Sequence, residues 1–261
     1  MKKILIAGAG RMGSWLAETL CLDYEVAVYD KDPQKLKYLF NTYRFREPAE
    51  IDAYKPDLLI NATGLKQTVQ AFEQLLPHLP PACIISDLAS VKNGLEKYYS
   101  GCGFRYVSTH PMFGPTFGNI RDLKGQNAII IKESDPEGKE FFRDFYRGLG
   151  LKLYEYDFIE HDQTIAYSLS IPFSSSIVFS ACMKQLQVPG TTFRHHLSIA
   201  QGLLSEDDYL LSGILLNKYS VDKLYEIKEK LSDLIDMLEN GDQPALHDLF
   251  NRLRGNIGMD N

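Results

Sequence analysis

Short apolar runs alternate with amphipathic segments through the first 160 or so residues, and then the alternation stops. Lys3–Ala7 is an apolar run ending in a glycine cluster, and Met12, Trp15, Leu16 and Leu20 follow at helical spacing. Further strands are expected in EVAVYD ending at Asp30, in DLLINATG at Asp57–Gly64, and at Cys83–Asp87, Tyr106–Thr109, Asn127–Ile131 and Lys152–Tyr156. Between them, helices are expected at Pro33–Phe40 (opened by Asp32 as a cap), up to Leu76 where Pro77 intervenes, at Val91–Tyr99 and at Glu137–Leu149. Strands separated by such helices predict a parallel sheet covered on both faces.

From about His161 strand-like runs vanish. Helices are expected at Thr164–Gln187, Thr192–Leu204, Asp207–Asn217, Val221–Glu239 and Pro244–Arg254. Leu224, Ile227, Leu231, Leu234, Ile235 and Leu238 form a stripe that reads as a helix packed along one face. The chain therefore divides into an α/β domain, residues 1–160, and an all-α domain, residues 161–261.

Composition adds exclusions. The content, 44% apolar and 24% charged, is that of an ordinary globular protein. The formal charge of -6 argues against broad attraction to nucleic acid or anionic membranes, while allowing a local basic pocket. No apolar run approaches the ~18–20 residues of a membrane span. The apolar patch near Met1 is shorter than the ~7–15 residues of a signal-peptide core. A cytoplasmic protein with no nucleic-acid or membrane partner is expected. Cys21, Cys83, Cys102 and Cys182 lie far apart and read as free thiols.

Gly8, Gly10 and Gly13 stand in G-x-G-x-x-G register, directly after a strand and opening a helix, with Arg11 and Met12 between the last two. Such glycines allow a tight turn, close backbone approach to a pyrophosphate and close helix–strand packing. The context predicts an N-terminal Rossmann-type doubly wound sheet followed by the all-α C-terminal domain. Asp30 ends the second strand, where a carboxylate accepts hydrogen bonds from ribose hydroxyls and repels a 2′-phosphate. NAD is therefore expected in preference to NADP, with Lys31 beside Asp30 as a partial offset. Ala62 and Thr63, after the next strand, are further candidates on the cofactor side.

Two segments carry candidate chemistry. SDLASVKN, Ser86–Asn93, and STHPMFGPTFGN, Ser108–Asn119, each run off a strand at the carboxyl edge of the sheet, where ligands of open α/β sheets bind. His110 there is a titratable group suited to accept a proton from an alcohol as hydride leaves. Ser90 is placed to hold its ring in the productive tautomer.

These segments resemble the prephenate dehydrogenase family. Asp87, Ser90 and Lys92 meet a D-x-x-S-x-K pattern, and HPMFGP meets the His-Pro-Met segment. Glu160–Tyr167 (EHDQTIAY) and Thr191–Ser220 are similar to later blocks of the family, so the likeness runs along almost the whole chain. It implies His110 as the catalytic histidine, Ser90 as its partner, and His161 with Asp162 as a structural pair at the domain junction. It also implies oxidative decarboxylation of prephenate to 4-hydroxyphenylpyruvate in tyrosine biosynthesis. Arogenate dehydrogenase, another two-domain hydroxy-acid dehydrogenase and a catalytically silent NAD-binding interaction protein are the alternatives.

The chain also departs from the family. Leu169–Phe173 keeps Pro172 but lacks two histidines that many members carry there, and an arginine expected a few residues beyond Arg194 is absent. A dianionic substrate needs cations. Arg194 and Lys92 are the leading candidates, with His195, His196, Arg252 and Arg254 behind them. No metal site is expected, because His195 and His196 lack spaced ligand partners. From the chain length no fused mutase or regulatory domain is expected, and from the apolar helices a homodimer is expected.

Overall fold

The computed structural model describes residues 1–113, 123–184 and 188–259. It divides into two compact units: Met1–Ile165 with Asp208–Gly213, and Ala166–Asp207 with Ile214–Asn261. The first unit thus takes in His161–Ile165 and part of a later helix.

The first unit is built on strands β1 (Lys3–Ala7), β2 (Glu25–Tyr29), β3 (Tyr43–Phe45), β4 (Leu58–Asn61), β5 (Ile84–Asp87), β6 (Arg105–Pro111), β7 (Asn127–Ile131) and β8 (Lys152–Tyr156). They form one sheet in the order β3-β2-β1-β4-β5-β6-β7-β8. The first six strands pair in parallel, giving the doubly wound order with its reversal beside β1. β7 pairs antiparallel to β6, and β8 runs parallel to β7. The expectation of an all-parallel sheet is corrected there: a return of about fifteen residues joins β6 to β7 where an antiparallel partner needs no helical crossover.

Alternate residues of each strand feed two apolar layers. Ile4, Ile6, Val26, Val28, Leu58 and Ile60 face α1 (Arg11–Leu20) and α5 (Pro136–Gly148) through Leu16, Leu20 and Phe142. Leu5, Ala7, Ala27, Leu59 and Ile85 face the opposite way, toward Ile51 of α2 (Glu50–Tyr54), Phe72 and Leu75 of α3 (Thr68–Leu75) and Tyr99 of α4 (Leu95–Gly101). The inner strands are buried on both faces, as near-continuous apolar runs require, whereas the edge strands β3 and β8 are largely exposed or half-buried.

Two helices differ from expectation for local reasons. Residues 33–38 form successive turns, with Leu36 N–H on Pro33 O and Lys37 N–H on Gln34 O, both at 3.3 Å. Asp32 caps Gln34 N–H as expected, but the chain never relaxes from i+3 to i+4 bonding. α4 begins at Leu95, four residues later than the pattern suggested, because Gly94 stands in the left-handed region at φ 80°.

The second unit comprises a π-helical turn Ala166–Ser170, α7 (Ile171–Cys182), α8 (Thr191–Leu204), the end of α9 (Asp208–Leu215), α10 (Ser220–Glu239) and α11 (Gln243–Asn256). The turn runs directly from α6 (Phe158–Ile165) into α7, just before Pro172, whose missing N–H removes one helical bond. The helix expected to reach Gln187 ends at Cys182, and residues 185–187 lie outside the described set. Phe158–Cys182 is long and apolar enough to cross a membrane by length and composition, with mean hydropathy 1.4 over its best window. Glu160 and Asp162 stand in its first turns and serines interrupt the rest, so the unbroken apolar run sought in the sequence is not present in it.

Candidate functional site

The glycine turn is built by close approach. Gly8 takes φ 98°, and a Cβ there would lie 3.0 Å from the carbonyl oxygen of Ala62. A Cβ on Gly13 would lie 1.9 Å from the carbonyl oxygen of Gly8, so only glycine lets α1 start this close to β1. Around Gly10 nothing lies within 4 Å of a built Cβ, leaving the backbone at the start of α1 open to an anion. Arg11 is exposed in the first turn, and Met12 packs half-buried on the apolar layer.

Asp30 closes this turn from the end of β2. It is 7% exposed, and its Oδ2 accepts the Ala9 N–H at 2.7 Å while Oδ1 accepts the Asp32 N–H at 2.8 Å. The carboxylate therefore braces the glycine loop as well as ending the strand where a ribose is expected. Thr63 is fixed in the neighbouring turn, its hydroxyl donating to Asn61 Oδ1 at 2.6 Å. Asn61 is held in turn by donation from Nδ2 to Thr68 O at 2.8 Å.

His110 lies one residue from the end of β6 and is 6% exposed. Its Nδ1 lies 3.1 Å from His161 Nε2, and His161 Nδ1 lies 3.2 Å from Asp162 Oδ1. The two rings meet edge to face. Burial, reinforced by the His161 ring and the Lys92 ammonium, holds His110 well below the usual imidazole range. At neutral pH it is an uncharged base. Burial also lowers His161, against the upward pull of Asp162.

Lys92 requires a correction. Expected among the substrate-facing cations, it is fully buried: Nζ donates to Asp87 Oδ1 at 2.5 Å and to the carbonyl of Thr109 at 2.8 Å. Asp87 also accepts from the Tyr99 hydroxyl at 2.6 Å and from the Ala89 N–H at 2.9 Å. Burial draws the Lys92 ammonium below its usual range, with Asp87 opposing. The D-x-x-S-x-K pattern thus builds a bracket behind the residue preceding His110, and the Lys92 ammonium is committed to it.

Ser90 sits half-buried in the bend after β5. The ring-holding role expected of it falls, at Nδ1 of His110, to His161. Spacing along the chain gave no sign of this pairing, since 51 residues separate the two histidines. The one local hint was a His-Asp pair at a helix start. Residues 114–119 of the His-Pro-Met segment lie outside the described residues.

In the second unit Arg194, His195 and His196 are exposed on α8, and Arg252 and Arg254 are exposed on α11. His196 stacks at a tilt on Phe179. The cysteines are free, and burial pushes the Cys83 thiol up to about 12. Among the described residues, no three His, Cys, Asp or Glu side chains gather as a metal site.

A family model described as "Prephenate dehydrogenase, nucleotide-binding domain" matches residues 19–134. The chain is 27% identical to the T-protein of Enterobacter agglomerans over 265 residues, covering 96% of this chain and 66% of that protein. It spans about two thirds of the length of the T-proteins it matches. A solved prephenate dehydrogenase from A. aeolicus, in complex with hydroxyphenyl propionate and NAD+, superposes with TM-score 0.82 at 18% identity, covering 100% of this chain and 99% of that one. Synechocystis arogenate dehydrogenase superposes with TM-score 0.79 at 20% identity, covering 98% and 99%.

Proposed function

We propose that this chain, a protein of the prephenate dehydrogenase family, uses NAD to oxidise and decarboxylate prephenate, giving 4-hydroxyphenylpyruvate. The observation that carries the reading is a buried, uncharged His110 at the carboxyl edge of a doubly wound sheet, with one ring nitrogen already committed to His161. The residues fit a dinucleotide: Gly8 and Gly13 stand where a Cβ would collide, Gly10 stands open, and Asp30 ends β2. Asp30 favours NAD over NADP by charge.

When bound, the dinucleotide supplies the acceptor for the hydride that leaves the ring carbon bearing the hydroxyl. His110 accepts the hydroxyl proton at Nε2 as the carbon–oxygen double bond forms. The bond to the ring carboxylate then breaks, carbon dioxide leaves, and the electron pair runs through the ring to that same oxygen. The oxygen takes a proton back from His110, so the histidine ends the cycle as it began and no proton is released overall.

Arogenate is the second reading, supported by the likeness to Synechocystis arogenate dehydrogenase. A cytoplasmic homodimer belongs to the same proposal, supported by apolar side chains that α10 leaves exposed. The test is reduction of NAD by purified protein with prephenate and with arogenate, compared with His110→Ala. Turnover with prephenate, falling about 10²–10⁴-fold in the variant while dinucleotide affinity is retained, supports the reading, and turnover with arogenate alone replaces it by the second. No turnover with either, or an undiminished variant, overturns it.

A further inference from the structure

We infer that His161, backed by Asp162, is the positioning residue that decides which nitrogen of His110 acts as the base. The inference deepens the reading above, which makes His110 the proton acceptor. An ionised carboxylate has no proton to give, so Asp162 Oδ1 accepts at 3.2 Å and the hydrogen resides on His161 Nδ1. A neutral imidazole protonated at Nδ1 has a bare Nε2. That nitrogen lies 3.1 Å from His110 Nδ1, so His110 donates to it through Nδ1–H. The lone pair of His110 is thereby left on Nε2, the nitrogen that takes the hydroxyl proton.

The surroundings favour this single arrangement. His161 is buried and kept neutral by that burial, whereas the Asp162 side chain is 15% exposed and reaches solvent. The charged groups bearing on the two rings are Lys92, which disfavours a second positive charge on either, and Asp87 and Asp162, which offset it at His161. Lys92 also holds the carbonyl of Thr109, fixing the backbone from which His110 projects. Because the reaction borrows a proton and returns it to the same oxygen, the chain of side chains need not export one. It gives the transient His110 imidazolium a fixed acceptor at Nδ1 and prevents the ring from turning.

Two measurements test this. In protein labelled with ¹⁵N-histidine, two-bond proton–nitrogen correlations report the tautomer of each ring, with the His110 signals assigned by their loss in His110→Asn. The wild type is expected to show His110 protonated at Nδ1, and both His161→Leu and Asp162→Asn are expected to shift it toward Nε2–H. His110 protonated at Nε2 in the wild type, or a tautomer indifferent to both variants, overturns the inference whether or not the protein turns over prephenate. In kinetics, His161→Leu should lower kcat about 10²-fold or more, with KM moving less than about threefold. His161→Gln, whose side-chain oxygen reaches the place of Nε2, should recover at least about tenfold of that loss. Equal kcat in the Leu and Gln variants, or a change confined to KM, overturns it. A wild type that shows the tautomer pattern yet oxidises neither substrate removes the substrate reading and leaves the positioning role standing.

Discussion

The two units place their apolar residues differently. In the first, Ile4, Leu5, Ile6, Leu58, Leu59, Ile60 and Phe72 are wholly buried in two layers that the unit completes for itself. In the second, Leu231, Ile235 and Leu238 of α10 are 53%, 44% and 60% exposed, and Ser220 at its start is the helix's one fully buried side chain among the described residues. The stripe expected to pack along one face is present as a stripe, but this chain alone does not cover it. Periodicity reports that a helix face is apolar; what that face meets is a separate question. Polar burial follows the same division. The first unit encloses Asp87, Lys92, His110 and His161 in satisfied networks, whereas the second encloses small hydroxyls such as Ser170 and Ser220, paired at 2.6 Å.

The sharpest way to break this contrast is Lys92→Met. It leaves Asp87 buried without its cation, and stripping one partner from such a pair costs about 3–5 kcal/mol, measurable by urea titration. A loss below about 1 kcal/mol would mean the bracket behind β6 is dispensable. Next comes Gly13→Ala, whose Cβ meets the Gly8 carbonyl. It should cost about 1–3 kcal/mol and abolish dinucleotide binding, whereas Gly10→Ala should weaken binding with little change in Tm. Equal Tm losses in the two would refute the distinction between a packing glycine and an approach glycine.

A gentler probe is pH. Both His110 and His161 are lowered in the folded chain, so the unfolded chain takes up protons that the folded one refuses. Their contribution is full above about pH 6.5 and declines as pH falls through the window between that value and their folded ones. Tm measured between pH 7.5 and 5 should drop, and the drop should be shallower in His161→Gln. The smallest expected effect on stability is that of Leu231→Asp with Ile235→Asp. Exposed positions move stability by about 0.5 kcal/mol or less, so this pair should instead shift a dimeric solution mass toward the monomer. A wild-type mass that is already monomeric would remove the dimer from the proposed function.

What was legible in the sequence was local. The KILIA run, the glycine spacing and Asp30 lie within one strand–turn–helix–strand unit, and the strand, the tight turn and the helix start formed where they were expected. His110 at a strand end was equally readable. Features set by distant partners were not. Nothing local says that β7 reverses, that Lys92 turns inward to Asp87, or that His161 crosses 51 residues to reach His110. The short helix expected at residues 33–40 had its cap and its proline, yet settled as a run of tight turns. A capping signal fixes where a turn begins and says little about how far it propagates.

The brace that Asp30 lends to Ala9 bears on any attempt to re-engineer the protein for a phosphorylated cofactor. The usual exchange replaces this acid with a neutral or basic residue to welcome the extra phosphate. Here the same oxygens anchor the glycine loop to the end of β2, at 2.7 Å to Ala9 N–H and 2.8 Å to Asp32 N–H. The selectivity proposed for Asp30 and the scaffold are thus wired through one side chain, so the swap must be accompanied by a new acceptor for the Ala9 amide.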